Sequence, residues 1–358
     1  MTYVRTSDGT RIHYEVTGRP GAPPVLFIQG LGAGKMGWIL QRIGTAPWYQ
    51  AVALDNRGAG RSDKPHGDYS LERMAADAVE VLDHAGIETA HVVGASMGGA
   101  ISQLVAVRFP ERVRSVTLAC TAATNHPWRE ELLASWADNA RKSGIGGLSS
   151  EAIKWVIGPR SLRRLLPGIG WLGPLALGRP SHGFNGQVGA LLDAPVEVAD
   201  ELSSIDVPVL VLAGNQDILT PRGDSEHLAE LIPTAELVVI SGAAHGFMVE
   251  HGDRVVGHLL EAVGGVGLVA PPCTAVVERD AVITGSGGEA LEHPARLAGS
   301  ESLDEEHGRP IGSAGLRVVN ASSVGGPDVG HQRAPIPVSG SQSNAVPVLR
   351  SPISVRRL

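Results

Sequence analysis

From Thr10 to Val16 the chain alternates apolar and polar residues as a half-buried strand does, and Ser7-Asp8-Gly9 offers a turn back to Tyr3-Val4-Arg5. An antiparallel hairpin is therefore expected at the start. Continuous apolar runs follow at 24–28, 50–54, 90–94, 113–120, 207–214 and 236–240, the pattern of strands buried on both faces. Between them, Leu71–His84 carries apolar residues at three and four spacing and meets Gly86, which predicts a helix with a glycine stop. Helices are also predicted at Ile101–Arg108 and at about Asp253–Val263. This alternation of strand and helix specifies an α/β fold, a mostly parallel sheet with helices on both faces.

The alternation breaks between about Thr124 and Ala199, where Trp128, Trp136, Trp155 and Trp171 stand among helical patterns and breaks such as Gly158-Pro159 and Gly173-Pro174. An insertion at the C-terminal edge of a parallel sheet lies where ligands bind in open α/β folds, so this stretch is expected to be a helical lid over an apolar pocket. Its tryptophans serve either to roof that pocket or to fasten the lid to the body. After about Gly264 aromatic residues, lysine and methionine are absent, and Gly, Ser, Pro, Val and Arg dominate without period. Such a composition buries too little apolar surface to offset its ordering entropy. The expected division is thus a folded body over 1–265 and a disordered or low-complexity tail over 266–358, either an interaction arm or a non-native reading of the coding sequence.

A net charge of −7 in 358 residues leaves no basic field for nucleic acid or an anionic membrane surface. A small-molecule partner fits better. The N-terminus has no apolar signal core and no run reaches the ~18 apolar residues of a membrane span, so a soluble, cytoplasmic protein is expected. Cys120 and Cys273 are too far apart to suggest a metal or disulfide framework, and neither metal nor cofactor is expected.

Chemistry concentrates at Gly94-Ala95-Ser96-Met97-Gly98, a Gly-x-Ser-x-Gly turn from strand into helix. The turn is too tight for a Cβ at its glycines, and the helix N-terminus behind it favours negative charge near the serine oxygen. By itself the pentapeptide could also be a glycine-rich turn that merely holds a serine. The loop Gly30-Leu31-Gly32-Ala33-Gly34-Lys35 lacks the glycine and the Ser or Thr of a P-loop and the last glycine of a dinucleotide fingerprint. It fits a loop that lends a backbone N–H to an oxyanion hole, with Leu31 and Met97 as the two donors. A serine nucleophile needs a base, and the base needs a carboxylate to fix its tautomer. His245 and Asp217 follow two later strands, giving the order Ser…Asp…His. Singly, His245 could be a turn residue and Asp217 a helix cap. The segment Thr121-Ala122-Ala123-Thr124-Asn125 offers no rival carboxylate.

These residues resemble the α/β-hydrolase family over positions 1 to about 265. The resemblance is carried by Gln29-Gly30-Leu31-Gly32, Leu54-Asp55-Asn56-Arg57-Gly58-Ala59-Gly60-Arg61-Ser62, Gly94-Ala95-Ser96-Met97-Gly98-Gly99, Gly214-Asn215-Gln216-Asp217 and Ala244-His245-Gly246-Phe247. Within the family the chain is similar to the 3-oxoadipate enol-lactonase and aclacinomycin methylesterase type of small esterase. Many relatives carry His where Gln29 stands; because the donor is a backbone N–H, this departure bears on substrate preference. The resemblance implies an acyl-enzyme hydrolase of esters or lactones, with carbon–carbon bond hydrolysis or perhydrolysis on the same triad as alternatives. A serine at position 96 argues against the dehalogenase and epoxide hydrolase branches, which need a carboxylate there. A non-catalytic small-molecule receptor on the same fold is the alternative of another class.

Overall fold

Eight strands form one sheet in the order β1-β2-β4-β3-β5-β6-β7-β8. They are β1 (Thr2–Arg5), β2 (Arg11–Gly18), β3 (Pro24–Ile28), β4 (Gln50–Leu54), β5 (Ala90–Ala95), β6 (Val113–Ala119), β7 (Val209–Gly214) and β8 (Ala235–Ile240). The structure is a computed structural model and describes residues 2–67, 69–158, 181–194 and 197–264. The pairs β1–β2 and β2–β4 are antiparallel and the other five are parallel, so the opening hairpin and the buried runs lie where the apolar pattern places them.

Alternate residues along the central strands enter separate cores. Leu26, Ile28, Val52, Leu54 and Val92 pack with α2 (Leu71–His84) and α3 (Met97–Arg108) on one face. Val25, Phe27, Ala51, Ala53 and Val93 pack on the other with Trp38, Val255 and Leu259. Those faces bury strands on both sides, which is why the runs are continuously apolar. Helix α2 starts where the Ser70 hydroxyl accepts the Arg73 N–H at 3.0 Å, and Gly86 at φ +70° follows its end, as its glycine stop predicts.

Several helices lack the amphipathic signal that marks α2, among them α1 (Ile39–Thr45) and the helices of the lid. Helix α1 buries Gln41, Arg42 and Thr45 while leaving Leu40 and Ile43 exposed. The lid contains α4 (Pro127–Val156), broken at Gly144, and α5 (Ser181–Leu192). Gly144 has φ +68° and ψ 175°, outside helical geometry, so α4 is two helices meeting at a kink. A short α6 (Glu197–Glu201) leads back to the sheet, and α7 (Arg222–Leu231), α8 (Phe247–Glu250) and α9 (Gly252–Gly264) complete the body. Helix α3 begins at Met97, four residues earlier than its apolar pattern suggests, because Gly98 and Gly99 are themselves helical.

Trp136 is buried between the lid helices, with Leu133, Ile145, Leu148, Phe184 and Val188. Trp128 is 39% exposed and stacks on Trp155 at 6.1 Å between ring centroids. The lid tryptophans thus divide between packing and surface stacking. Trp171, Cys273 and the whole of the expected tail, 266–358, lie outside the described residues. Among the described residues no helix is long and apolar enough to cross a membrane.

Candidate active site

Strand β3 hands the chain to β4 on one side, whereas β5 hands it through α3 to β6 on the other. The sheet therefore switches direction between β3 and β5, and their C-terminal ends open a crevice where open α/β sheets bind ligands. Ser96 follows β5, and the loop from Gln29 follows β3, so both reach the crevice.

Ser96 adopts φ 54° and ψ −122°, a backbone conformation rare for a residue with a Cβ. Such a state costs about 1–3 kcal/mol and must be held by its surroundings. Here the Ser96 N–H donates to the Ala119 carbonyl at 2.9 Å, and the Ser96 carbonyl accepts from the Thr121 hydroxyl and the Gly99 N–H at 2.8 Å each. The flanking glycines are required by contact. A Cβ on Gly94 would run into the Gly98 carbonyl and the Ser102 hydroxyl, and one on Gly98 into the Ile28 carbonyl. That last approach seats the N-terminus of α3 against the end of β3 and brings Met97 next to the loop that carries Leu31.

In that loop, Ala33 N–H donates to Gly30 carbonyl at 3.2 Å and Gly32 has φ +69°, a type II turn with glycine where positive φ is needed. Three of its four successive N–H groups are occupied. Gly30 donates to Gln29 Oε1 at 2.8 Å, Gly32 to Gln187 Oε1 at 2.8 Å, and Ala33 closes the turn. Neither Leu31 N–H nor Met97 N–H donates to any group among the described residues, and both residues line the same cavity as Ser96.

The connection after β7 forms a cradle around Asp217. Its Oδ1 accepts from Leu219 N–H and Thr220 N–H at 2.9 Å each, and its Oδ2 accepts from the Thr220 hydroxyl at 2.8 Å. His245 Nδ1 stands 2.8 Å from that same Oδ2. Burial works against the charged carboxylate, yet the His245 and Thr220 partners outweigh it and hold its pKa below the ordinary value. With Nδ1 engaged, Nε2 is the ring nitrogen left for chemistry, and His245 lines the cavity while Asp217 stands behind it. Thr220 is a part of this site that motif reading passed over, although Asp-x-x-Thr is the spacing of a side chain closing a turn on itself.

The cavity has a volume of about 710 Å³. The body supplies Gln29, Leu31, Ser96, Met97 and His245, and the lid roofs it with residues such as Leu133, Trp136, Ile153, Val156 and Phe184. Arg129 also lines it, but its Nε donates to Leu219 carbonyl at 2.9 Å, its Nη1 to Thr124 carbonyl at 3.2 Å, and its Nη2 pairs with Asp224. This arginine ties the lid to the Asp217 loop. Cys120 is buried, and burial together with the charge of Asp217 pushes its thiol pKa well up, so it is a packed and unreactive side chain. Among the described residues no group of three or more His, Cys, Asp or Glu side chains could hold a metal ion.

Comparison with known proteins gives consistent relatives. A family model described as alpha/beta hydrolase fold matches residues 23–141. The chain is 30% identical over 269 residues to 3-oxoadipate enol-lactonase 2 of Acinetobacter baylyi, covering 72% of this chain and 94% of that protein. It is 31% identical over 245 residues to 2-hydroxymuconate semialdehyde hydrolase of Pseudomonas sp. strain CF600, covering 64% of this chain and 83% of that one. The crystal structure of the enol-lactonase from Burkholderia xenovorans LB400 superposes with a TM-score of 0.69 at 25% identity, over 74% of this chain and 100% of the other.

Proposed function

Because this chain belongs to the α/β-hydrolase family, we propose that it is a serine hydrolase that cleaves a small-molecule carboxylic ester or lactone through an acyl-enzyme. The observation that carries this reading is the 2.8 Å contact between Asp217 Oδ2 and His245 Nδ1, with His245 and Ser96 both lining one cavity. Asp217 holds the imidazole in the tautomer whose Nε2 can accept a proton. As Ser96 Oγ attacks the carbonyl carbon, its proton passes to His245 Nε2, and the carbonyl oxygen takes up negative charge. The N–H groups of Leu31 and Met97 receive that oxyanion, with the α3 N-terminus behind Met97 adding its dipole. Collapse expels the alcohol, which takes the proton from His245. Water, deprotonated by the same nitrogen, then releases the acid and restores Ser96.

An apolar cavity of about 710 Å³ suits a substrate larger than acetate esters. Resemblance to an enol-lactonase favours a lactone or ester bond as the one cleaved, and likeness to a 2-hydroxymuconate semialdehyde hydrolase supports carbon–carbon hydrolysis on the same residues as a second reading. A panel of p-nitrophenyl esters, an enol-lactone and a vinylogous diketone distinguishes the two. Turnover of the esters or the lactone, lost in Ser96→Ala, supports the first reading; turnover of the diketone alone supports the second.

A further inference from the structure

Gln187 lies on lid helix α5 and is fully buried, yet it does not line the cavity. Its Oε1 accepts the Gly32 N–H at 2.8 Å and its Nε2 donates to the Arg57 carbonyl at 2.7 Å. One amide thus spans the oxyanion loop and the loop after β4, both anchored in the body. The loop after β4 is rigid: the Arg57 guanidinium is held by Asp77, with Nε to Oδ2 at 2.6 Å, and by Asp8 at 2.8 Å. Helix α5 meets that loop backbone to backbone, since a Cβ on Gly183 would strike the Gly58 carbonyl. Its other side carries Phe184 and Val188 into the lid core with Leu133 and Trp136.

We propose that Gln187 is a positioning residue through which the docked lid sets the oxyanion hole, an inference that rests on the hydrolase reading above. A type II turn converts to type I by rotating its central peptide, here Leu31–Gly32, which exchanges the faces of the turn presented by the Gly32 N–H and the Leu31 C=O. The Gln187 oxygen captures the Gly32 N–H on the side away from the cavity and so holds the type II form. With this peptide fixed, Leu31 N–H is the loop donor left to the substrate oxygen. Once α5 leaves the body, Gly32 loses its partner, the peptide is free to rotate, and the dipole next to Leu31 N–H reverses. Oxyanion stabilisation then depends on α5 staying docked on the body.

The test uses two neutral ligands on the full chain. Phenethyl trifluoromethyl ketone accepts Ser96 Oγ at its carbonyl carbon, the carbonyl electron pair moves to oxygen, and the serine proton goes to His245, giving an oxyanion adduct. Phenethyl methyl carbinol fills the same space without forming an anion. Gln187→Met should bind the ketone about 10- to 100-fold more weakly and lose the same factor in kcat on p-nitrophenyl butyrate, with KM and carbinol affinity within about threefold of the parent. Gly183→Ala, which pushes α5 off the Gly58 backbone without touching Gln187, should show a smaller loss in the same direction and keeps the test available if Gln187→Met does not melt cooperatively. Unchanged ketone selectivity in a folded variant, or an equal loss for ketone and carbinol, overturns the proposal. If the parent protein itself forms no ketone adduct and turns over no ester, it is the hydrolase reading that fails.

Discussion

The Thr220 hydroxyl donates to the carboxylate oxygen of Asp217 that faces His245, lying 2.8 Å from Oδ2 and 3.1 Å from His245 Nδ1. This oxygen therefore serves two neighbours at once, and the threonine fixes where its charge is concentrated. Replacement by the isosteric valine removes the donor while two backbone N–H groups still hold Oδ1. Thr220→Val is expected to lower kcat by about 10- to 100-fold with KM little changed, because one hydrogen bond to a charged group is worth roughly 1.5–3 kcal/mol. Steady-state kinetics on a p-nitrophenyl ester measures this, and full activity would remove Thr220 from the working site.

Asp217→Asn presents an amide where the Nδ1–H needs a carboxylate, which favours the wrong imidazole tautomer. A loss of about 10⁴ in kcat is expected, the scale seen when a triad aspartate is changed in this way. The same carboxylate also ties pH to stability. Its folded pKa lies below the ordinary value, so its contribution is present above an unfolded pKa near 3.9 and is lost as pH falls through the lower folded value. Melting curves should show the parent protein's advantage over Asp217→Asn at neutral pH shrinking below about pH 4. A gap that stays constant into acid would mean that the ionised carboxylate contributes nothing to stability.

Gly98→Ala places a methyl group against the carbonyls of Ile28 and Gln29. Backbone cannot yield as a flexible side chain does, so the expected cost is about 1–3 kcal/mol with a displaced α3 N-terminus. Thermal melts and ester turnover should both fall. Loss of turnover without loss of stability would show that the elbow moves more easily than its packing implies.

Local signals made the body legible. A buried parallel strand is a bounded apolar run whatever its partners, and Gly94 is forced by Gly98 and Ser102 a few residues on, whereas Gly98 is held to glycine by the Ile28 carbonyl of another strand. Helix α1 was illegible because its polarity is inverted: Arg42 is buried on Glu15 at 3.0 Å and Gln41 on the Met248 carbonyl at 2.8 Å, while Ile43 faces outward. Gln187 left no local trace either, since its two partners stand 155 and 130 positions earlier in the chain. The residues predicted to be catalytic converge because each follows a different strand of one sheet. Asp217 alone of the three withdraws behind its neighbour.

We further propose that residues 1–265 are sufficient for folding and turnover. Helix α9 buries Val255 and Leu259 against the sheet and so closes that face of the body. Truncation after Gly265 should leave the melting temperature and ester turnover unchanged within error. Aggregation, or a melt that is no longer cooperative, would place part of the fold beyond that boundary.

The central claim is that Ser96 is the nucleophile, and the most direct measurement is intact mass and peptide mapping after reaction with a fluorophosphonate. One phosphonyl group per chain is expected, on Ser96, with labelling abolished in Ser96→Ala and slowed by several orders of magnitude in His245→Gln. A label on any other serine, or a parent protein that stays unmodified under conditions that label a known serine esterase, would contradict the account.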